Sequence, residues 1–358
     1  MKKNKVFVGV NNIAGMASST ANALKKVGIS AQSFSFKKHP FGYACDNEDL
    51  LYIPPINRNF IAKIFINKYT IPFYRRIQYL QLLVKSIFQF DTFIFISTDT
   101  IFLNQADLPI LKFFNKKVSF MFVGCPERNP FDIYNSQNGS PCSICKDTGL
   151  KEYLKCDNPE KKSKRIKNVE KYADVIFSQR DTLGFLTELN KIKHTYILSE
   201  NEGDFNEEKF NRKKIKISHF PSHKQIKGTK YVDKAIKNLS NFNIEYFSRK
   251  VSNDEVKREL KDTSILIDQF NHGHGLLSVE AMSFGCVVIC RTAEWFRNDY
   301  PGLPIISCKP EELTSVLKRL INDREKMKEI AKNGLQYYKK FHSMEAGGLY
   351  YKKTLRLE

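Results

Sequence analysis

The sequence lacks any uninterrupted apolar stretch approaching ~18 residues, so no membrane-spanning helix is expected. Nor is a secretion signal expected. The opening MKKNKVFVGV is basic, but its apolar run is short and breaks at Asn11-Asn12. Those residues read as the first strand of a domain in a cytoplasmic protein. Zinc-finger spacing with paired histidines is absent, and so is an RNP-like aromatic strand, so no nucleic-acid partner is expected. Acidic residues are missing altogether from Leu50 to Phe90, where Arg58, Lys63, Lys68, Arg75, Arg76 and Lys85 alternate with aliphatic and aromatic side chains. Such a mixture suits either the interface of an anionic bilayer or a core helix whose basic groups face water. Asn57 to Arg76 fits the peripheral membrane reading better, and Gln78 to Phe90 the core reading.

What the chain does contain is positive charge and enough apolar material for real cores. The net charge is +20 over 358 residues, and 42% of residues are hydrophobic. The charge favours an anionic partner, such as phosphorylated substrates, a membrane surface or nucleic acid, although part of it is simply solvated lysine. The length exceeds what one core usually serves, so two domains are expected.

Along the chain, strand-like and helix-like stretches alternate, as a doubly wound α/β fold requires. Lys5 to Val10 is a strand, followed by a loop with Gly15, a helix to Lys26 and a strand from Ala31 to Phe36. Further strands fall at Thr92 to Ser97 and Val118 to Gly124, with a short helix at Asp107 to Phe114. Asp181 to Leu189 reads as a helix and Thr195 to Leu198 as a strand. The polar stretch Asn201 to Lys214 reads as an inter-domain linker. A second strand series starts at Lys214.

Cys125, Cys142, Cys145 and Cys156 form C-x16-C-x2-C-x10-C within a polar stretch. In a reducing compartment, clustered thiols favour a tetrahedral metal over disulfides, so the four are candidate ligands for a structural zinc. Cysteines without metal are the alternative.

The informative stretch is Asp268 to Arg291, DQFNHGHGLLSVEAMSFGCVVICR. A buried strand ends at Ile267, and Asn271, Gly273 and Gly275 give a loop. A short helix then starts at Leu276 and stops at Gly285, before a second apolar strand. This order aims backbone N–H groups and a helix N-terminus at the carboxyl edge of a parallel sheet, where phosphates bind. Glu280, about one turn in, is placed to reach sugar hydroxyls.

Glu280-Ala281-Met282 with Gly285 resembles the signature of the retaining, GT-B-fold glycosyltransferases of family 4, with His272 where that family has its first glutamate. Ser222 to Thr229, SHKQIKGT, is similar to the family's donor-phosphate segment, and Lys227 matches its diphosphate-binding lysine; Lys224 or His223 stands near its usual arginine. The resemblance implies two Rossmann-like domains facing across a cleft. Residues 1–205 would bind the acceptor, 206–342 the donor, and a helix over 343–358 would return to the first domain. It implies transfer of a sugar from a nucleotide-sugar donor to a saccharide or lipid-linked acceptor, with retention and without a catalytic metal, in the synthesis of bacterial surface polysaccharide or glycolipid.

In that reading Lys227 and Glu280 act with His272. Gly15, Lys224, Gly273, His274, Gly275 and Leu276 surround the donor, and Arg128 lies on the acceptor side. In Val123-Gly124-Cys125-Pro126-Glu127-Arg128, Val123 replaces a family histidine and Arg128 alone matches. Two other readings stand beside it: a GT-B protein that binds a sugar nucleotide or a partner without turnover, and a basic nucleic-acid or membrane adaptor.

Overall fold

A computed structural model of the chain describes residues 4–39, 42–48, 50, 70–102, 104–137, 139–149, 158–271 and 273–358, leaving aside the side chains of residues 70–74. It divides into two compact units. The first comprises residues 1–128, 158–195 and 348–358, and the second 129–157 and 196–347.

The first unit is built on a six-stranded parallel sheet in the order β2-β1-β3-β4-β5-β6. Its strands are β1 (Lys5–Gly9), β2 (Ser30–Ser33), β3 (Thr92–Ile96), β4 (Lys117–Met121), β5 (Val175–Ser178) and β6 (Ile192–His194). Parallel strands are covered on both faces, which is why FIFI of β3 is apolar and the strand, Thr92 included, is buried at every position. Register decides which side chain goes to which face. Phe7 lies opposite Phe93, and Phe93 opposite Val118. With Phe95, Phe120 and Ile176 they form one face. The helices Thr70–Gln89, Asp107–Phe113 and Pro159–Tyr172 cover that face through Leu83, Ile87, Leu108, Leu111, Ile166 and Val169. The opposite face takes the helix Met16–Lys26, whose Thr20 hydroxyl approaches the Met121 sulfur, and the chain beyond Gly348. There Tyr351 meets Phe177 edge-on at 5.1 Å.

The second unit has a four-stranded parallel sheet, order β10-β9-β7-β8. The strands are β7 (Ile215–His219), β8 (Ile244–Ser248), β9 (Ile265–Ile267) and β10 (Val287–Ile289). Ile215, Ile217, Ile265, Ile267, Val287 and Ile289 pack with the helices Thr229–Lys237 and Leu313–Asn322. Leu266 and Val288 pack the other way, against Leu276–Ser283 and Arg324–Phe341. No helix among the described residues is long and apolar enough to cross a membrane.

Four sequence expectations need correction. Asp181 to Leu189 is not one helix but two short 3-10 turns, Arg180–Thr182 and Leu189–Lys191. The buried Glu170 carboxylate accepts from Thr187 N at 2.5 Å and Glu188 N at 2.8 Å, taking amides that a continuous helix would use. The strand expected at Thr195 to Leu198 lies at Ile192–His194, where Ile192 pairs with Ile176. Asn201 to Lys214 is no linker: Phe210 is in the core, and Lys209 is buried with its ammonium donating to Phe284 O at 2.6 Å. The chain changes unit at 195/196 instead of 205/206, and residues 129–157 belong to the second unit, not to the first.

Candidate functional site

The carboxyl ends of the second unit's strands meet at one edge. After β7 the chain enters the one-turn helix Lys224–Lys227, ended by Gly228 at φ 71°. A Cβ on Gly228 would stand 2.7 Å from the Phe270 ring, so both the backbone angle and the space call for glycine. His219, at the end of β7, is fully buried and has its pKa lowered, first of all by burial. Its Nδ1–H therefore donates to Ile267 O at 2.8 Å, while Nε2 accepts from the Thr229 hydroxyl at 3.0 Å. The ring thus pins β7 to β9 and to the start of the following helix.

Lys227 points to the end of β9. Its ammonium donates to Asp268 Oδ1 at 2.5 Å and to Gln269 Oε1 at 2.7 Å. Asp268 is fully buried, and its other oxygen accepts from the Ser278 hydroxyl at 2.6 Å. Gln269 in turn donates to Gly273 O at 2.5 Å. A buried carboxylate requires a counter-charge, and Lys227 is that charge. The structure therefore brings Lys227 to the same edge as the glycine loop and the 276–283 helix, and ties it to Ser278, two residues before Glu280. An ammonium has three donors, and these bonds account for two.

The helix Leu276–Ser283 begins at Gly275 without a side-chain cap. Its first backbone bond runs from Val279 N to Gly275 O, 3.3 Å, so the amides of Leu276, Leu277 and Ser278 face the loop. The two flanking glycines differ. A Cβ on Gly273 would lie 2.3 Å from the Phe296 ring, whereas one on Gly275 would meet nothing within 4 Å. Gly275 also sits at φ −121°, which any residue adopts. Protein packing demands the first glycine; the second faces open space in front of a helix N-terminus.

Glu280 is buried and accepts from Asn253 Nδ2 at 3.0 Å. Burial pushes its carboxyl up to about 7, with Asp268 pushing the same way and Asn253 and Lys257 pulling down. His274 does not line open space. It is buried among aromatics, edge-on to Tyr300 at 4.7 Å and to Phe296 at 5.2 Å. Leu276 is half-buried and Lys224 exposed. His272 lies outside the described residues.

Part of the cysteine-bearing stretch lies over this edge. The helix Pro141–Thr148 packs against Lys224–Lys227, Tyr134 meets Trp295 at 5.0 Å, and the Arg291 guanidinium lies against the backbone of Gly139. Cys142 and Cys145 stand one turn apart on that helix, Cys145 buried. Cys125 is in the first unit, Cys156 lies outside the described residues, and among the described residues no three His, Cys, Asp or Glu groups form a metal site.

In the first unit, Gly15 has φ 74°, and a Cβ there would stand 2.7 Å from the Tyr43 ring. The next helix is already capped, because Asn12 Oδ1 accepts from Ala17 N at 3.0 Å. Local structure is thus sufficient reason for Gly15. Arg128 donates through Nε to Asp181 Oδ2 at 2.6 Å. Beside it Glu127, fully buried, accepts from the amides of Val123 and Gly124 and from the Ser97 hydroxyl.

Sequence reasoning missed Asp268, Gln269, Asn253, Ser278 and His219 as partners in the site. An Asp-Gln pair at the last step of an apolar strand, just before a glycine loop, was the available signal.

No protein-family model and no curated protein matches the sequence. Solved structures do match. A sucrose-phosphate synthase from Thermosynechococcus elongatus is 10% identical over 99% of this chain and 98% of its own, with a TM-score of 0.64. A glycosyltransferase from Rickettsia africae is 13% identical over 99% and 100%, TM-score 0.58. Anabaena HepE, in complex with UDP and glucose, is 10% identical over 99% and 100%, TM-score 0.56. At such identities the likeness shows the fold, which is GT-B.

Proposed function

We propose that the chain is a glycosyltransferase that takes a sugar from a nucleotide-sugar donor. The observation that carries this reading is the shared sheet edge, where Lys227, the uncapped start of the 276–283 helix and Glu280 come together. Two of these suit a diphosphate: a fixed cation, and amides at a helix N-terminus that stabilise the charge growing on the leaving group without a metal. Glu280 suits ribose, since an ionised carboxylate accepts from two neighbouring hydroxyls. HepE, of the same fold, is described with UDP and glucose, which supports a uridine nucleotide as the first to test.

In the transfer, the bond from the anomeric carbon to the phosphate oxygen breaks and one to the acceptor oxygen forms. The acceptor hydroxyl proton leaves with the nucleoside diphosphate or to solvent. The reading includes retention of anomeric configuration and a saccharide or lipid-linked acceptor in bacterial surface polysaccharide or glycolipid synthesis. Both rest on the Glu280-Ala281-Met282 motif. A zinc on Cys125, Cys142, Cys145 and Cys156 is a separate proposal; Cys142 and Cys145, at helical spacing, suit two ligands. Metal analysis of the purified chain against Cys142→Ser/Cys145→Ser tests it.

A thermal-shift screen of UDP, GDP and their sugars tests donor binding, because a ligand of the native state raises stability with its affinity. Donor hydrolysis or transfer to added acceptors then tests turnover. Binding without turnover would support the non-catalytic reading suggested by His272, and no binding would sink both.

A further inference from the structure

The helices over one face of the first unit's sheet carry apolar side chains that its core does not use. The helix Thr70–Gln89 buries Leu83 and Ile87, yet Leu80, Val84 and Phe88 are exposed, Phe88 by 82%. Their spacing of four residues makes one stripe on the outer side. The helix Asp107–Phe113 likewise buries Leu108 and Leu111 but leaves Phe113 81% exposed, in edge contact with Phe114. The two helices run into β3 and β4, whose first residues, Thr92 and Lys117, are register partners. Phe88 and the Phe113–Phe114 pair therefore project at the same edge of the same helical layer.

The exposed charge of that layer is almost all positive. Lys161, Lys164, Lys167 and Lys171 lie exposed along the third helix, Pro159–Tyr172, and Arg76 and Lys85 are exposed on the first. Among the described residues of these three helices the exposed acid is Glu160, because Asp107 and Glu170 are buried. An apolar stripe set among lysines is costly to leave in water and rare without a partner. A second copy of the chain is a poor occupant, since two such faces repel. A nucleic-acid groove would meet the lysines but give Leu80 and Val84 nothing apolar to enter.

We propose that this face seats on an anionic phospholipid bilayer. Phe88 and Phe113 enter the acyl boundary, and the lysine row meets headgroup phosphates. This surface belongs to the first unit alone, and its test needs no turnover.

The experiment is co-sedimentation of the full chain with phosphatidylcholine vesicles, with and without phosphatidylglycerol. Binding is expected only with phosphatidylglycerol and should weaken as salt rises. In Phe88→Ser/Phe113→Ser the vesicle affinity should fall about tenfold or more, and Lys164→Glu/Lys167→Glu should act likewise. Both variants change exposed side chains, so an unchanged melting temperature is the control for folding. Wild-type affinity in the phenylalanine variant would overturn the proposal. So would equal binding to both vesicle types, or a dimer in light scattering that the same variant dissolves.

Discussion

The two sheets offer their carboxyl edges differently, and the difference indicates where an anion is welcome. In the first unit the edge is filled by its own side chains. Asn12 caps the helix after β1, Glu127 takes the amides of Val123 and Gly124, and Asp181 holds Arg128. In the second unit the helix after β9 starts without a cap, Gly275 faces open space, and Lys227 stands beside it. Both edges come from the same βα arithmetic. One has spent its donors internally, and the other has kept them.

The contrast breaks most severely at Lys227. Lys227→Ala leaves the fully buried Asp268 without its counter-charge and should lower stability by about 3 kcal/mol, besides abolishing diphosphate binding. Adding Asp268→Asn should restore the melting temperature but not nucleotide affinity. Restoration of both would mean that Lys227 is structural only.

Glu280→Gln should reduce donor turnover about 100-fold, roughly 2.7 kcal/mol, while keeping the bond from Asn253. Its stability should not fall. Wild-type turnover would remove Glu280 from the site.

The same carboxyl sets a pH dependence whose sign is fixed. Its folded pKa, about 7, lies above the ordinary glutamate value of 4.5 that holds in the unfolded chain. The folded state therefore holds the proton more tightly. The corresponding stability is complete below pH 4.5 and is lost as pH rises through about 7. Ribose hydroxyls favour the ionised form, so nucleotide affinity should rise across the same interval. Titration calorimetry at pH 6 and pH 8 should show this in the wild type and not in Glu280→Gln.

The glycines sharpen the comparison further. Gly275→Val should leave the melting temperature unchanged and weaken nucleotide binding at least about tenfold, whereas Gly273→Ala should destabilise through the Phe296 ring. Smallest is Asn12→Ala, which should cost about 1 kcal/mol of stability as a lost cap, with nucleotide affinity untouched. A loss of affinity there would show that the first edge also serves the donor.

Much of this architecture was legible in the sequence because parallel strands are apolar on both faces. β3, β4, β9 and β10 stand out as runs, and Gly285 marks the end of the helix after Glu280. The breakdowns have local causes. The 181–189 stretch has helical composition, but Glu170, from another helix, claims its amides. Lys209 reads as a solvated linker residue, yet its ammonium is satisfied inside by Phe284 O. At the second unit's sheet edge, Lys227, Glu280, Gly273 and Gly275 were singled out by the resemblance of their motifs. Asp268 was read only as a strand end, since nothing in its spacing shows that a lysine 41 residues earlier will neutralise it.

The chain passes from one unit to the other at 128/129, 157/158, 195/196 and 347/348. During synthesis, residues 348–358 therefore emerge only after the whole of 196–347. Until they do, the first unit lacks Tyr351 over Phe177 and the close seat of Gly348 on Ala23. One sheet face must wait with the helix Met16–Lys26 but without the chain's last turns while the second unit folds. No single cut yields either half intact, so a truncated clone ending near residue 205 would yield an aggregation-prone piece instead of a complete first unit.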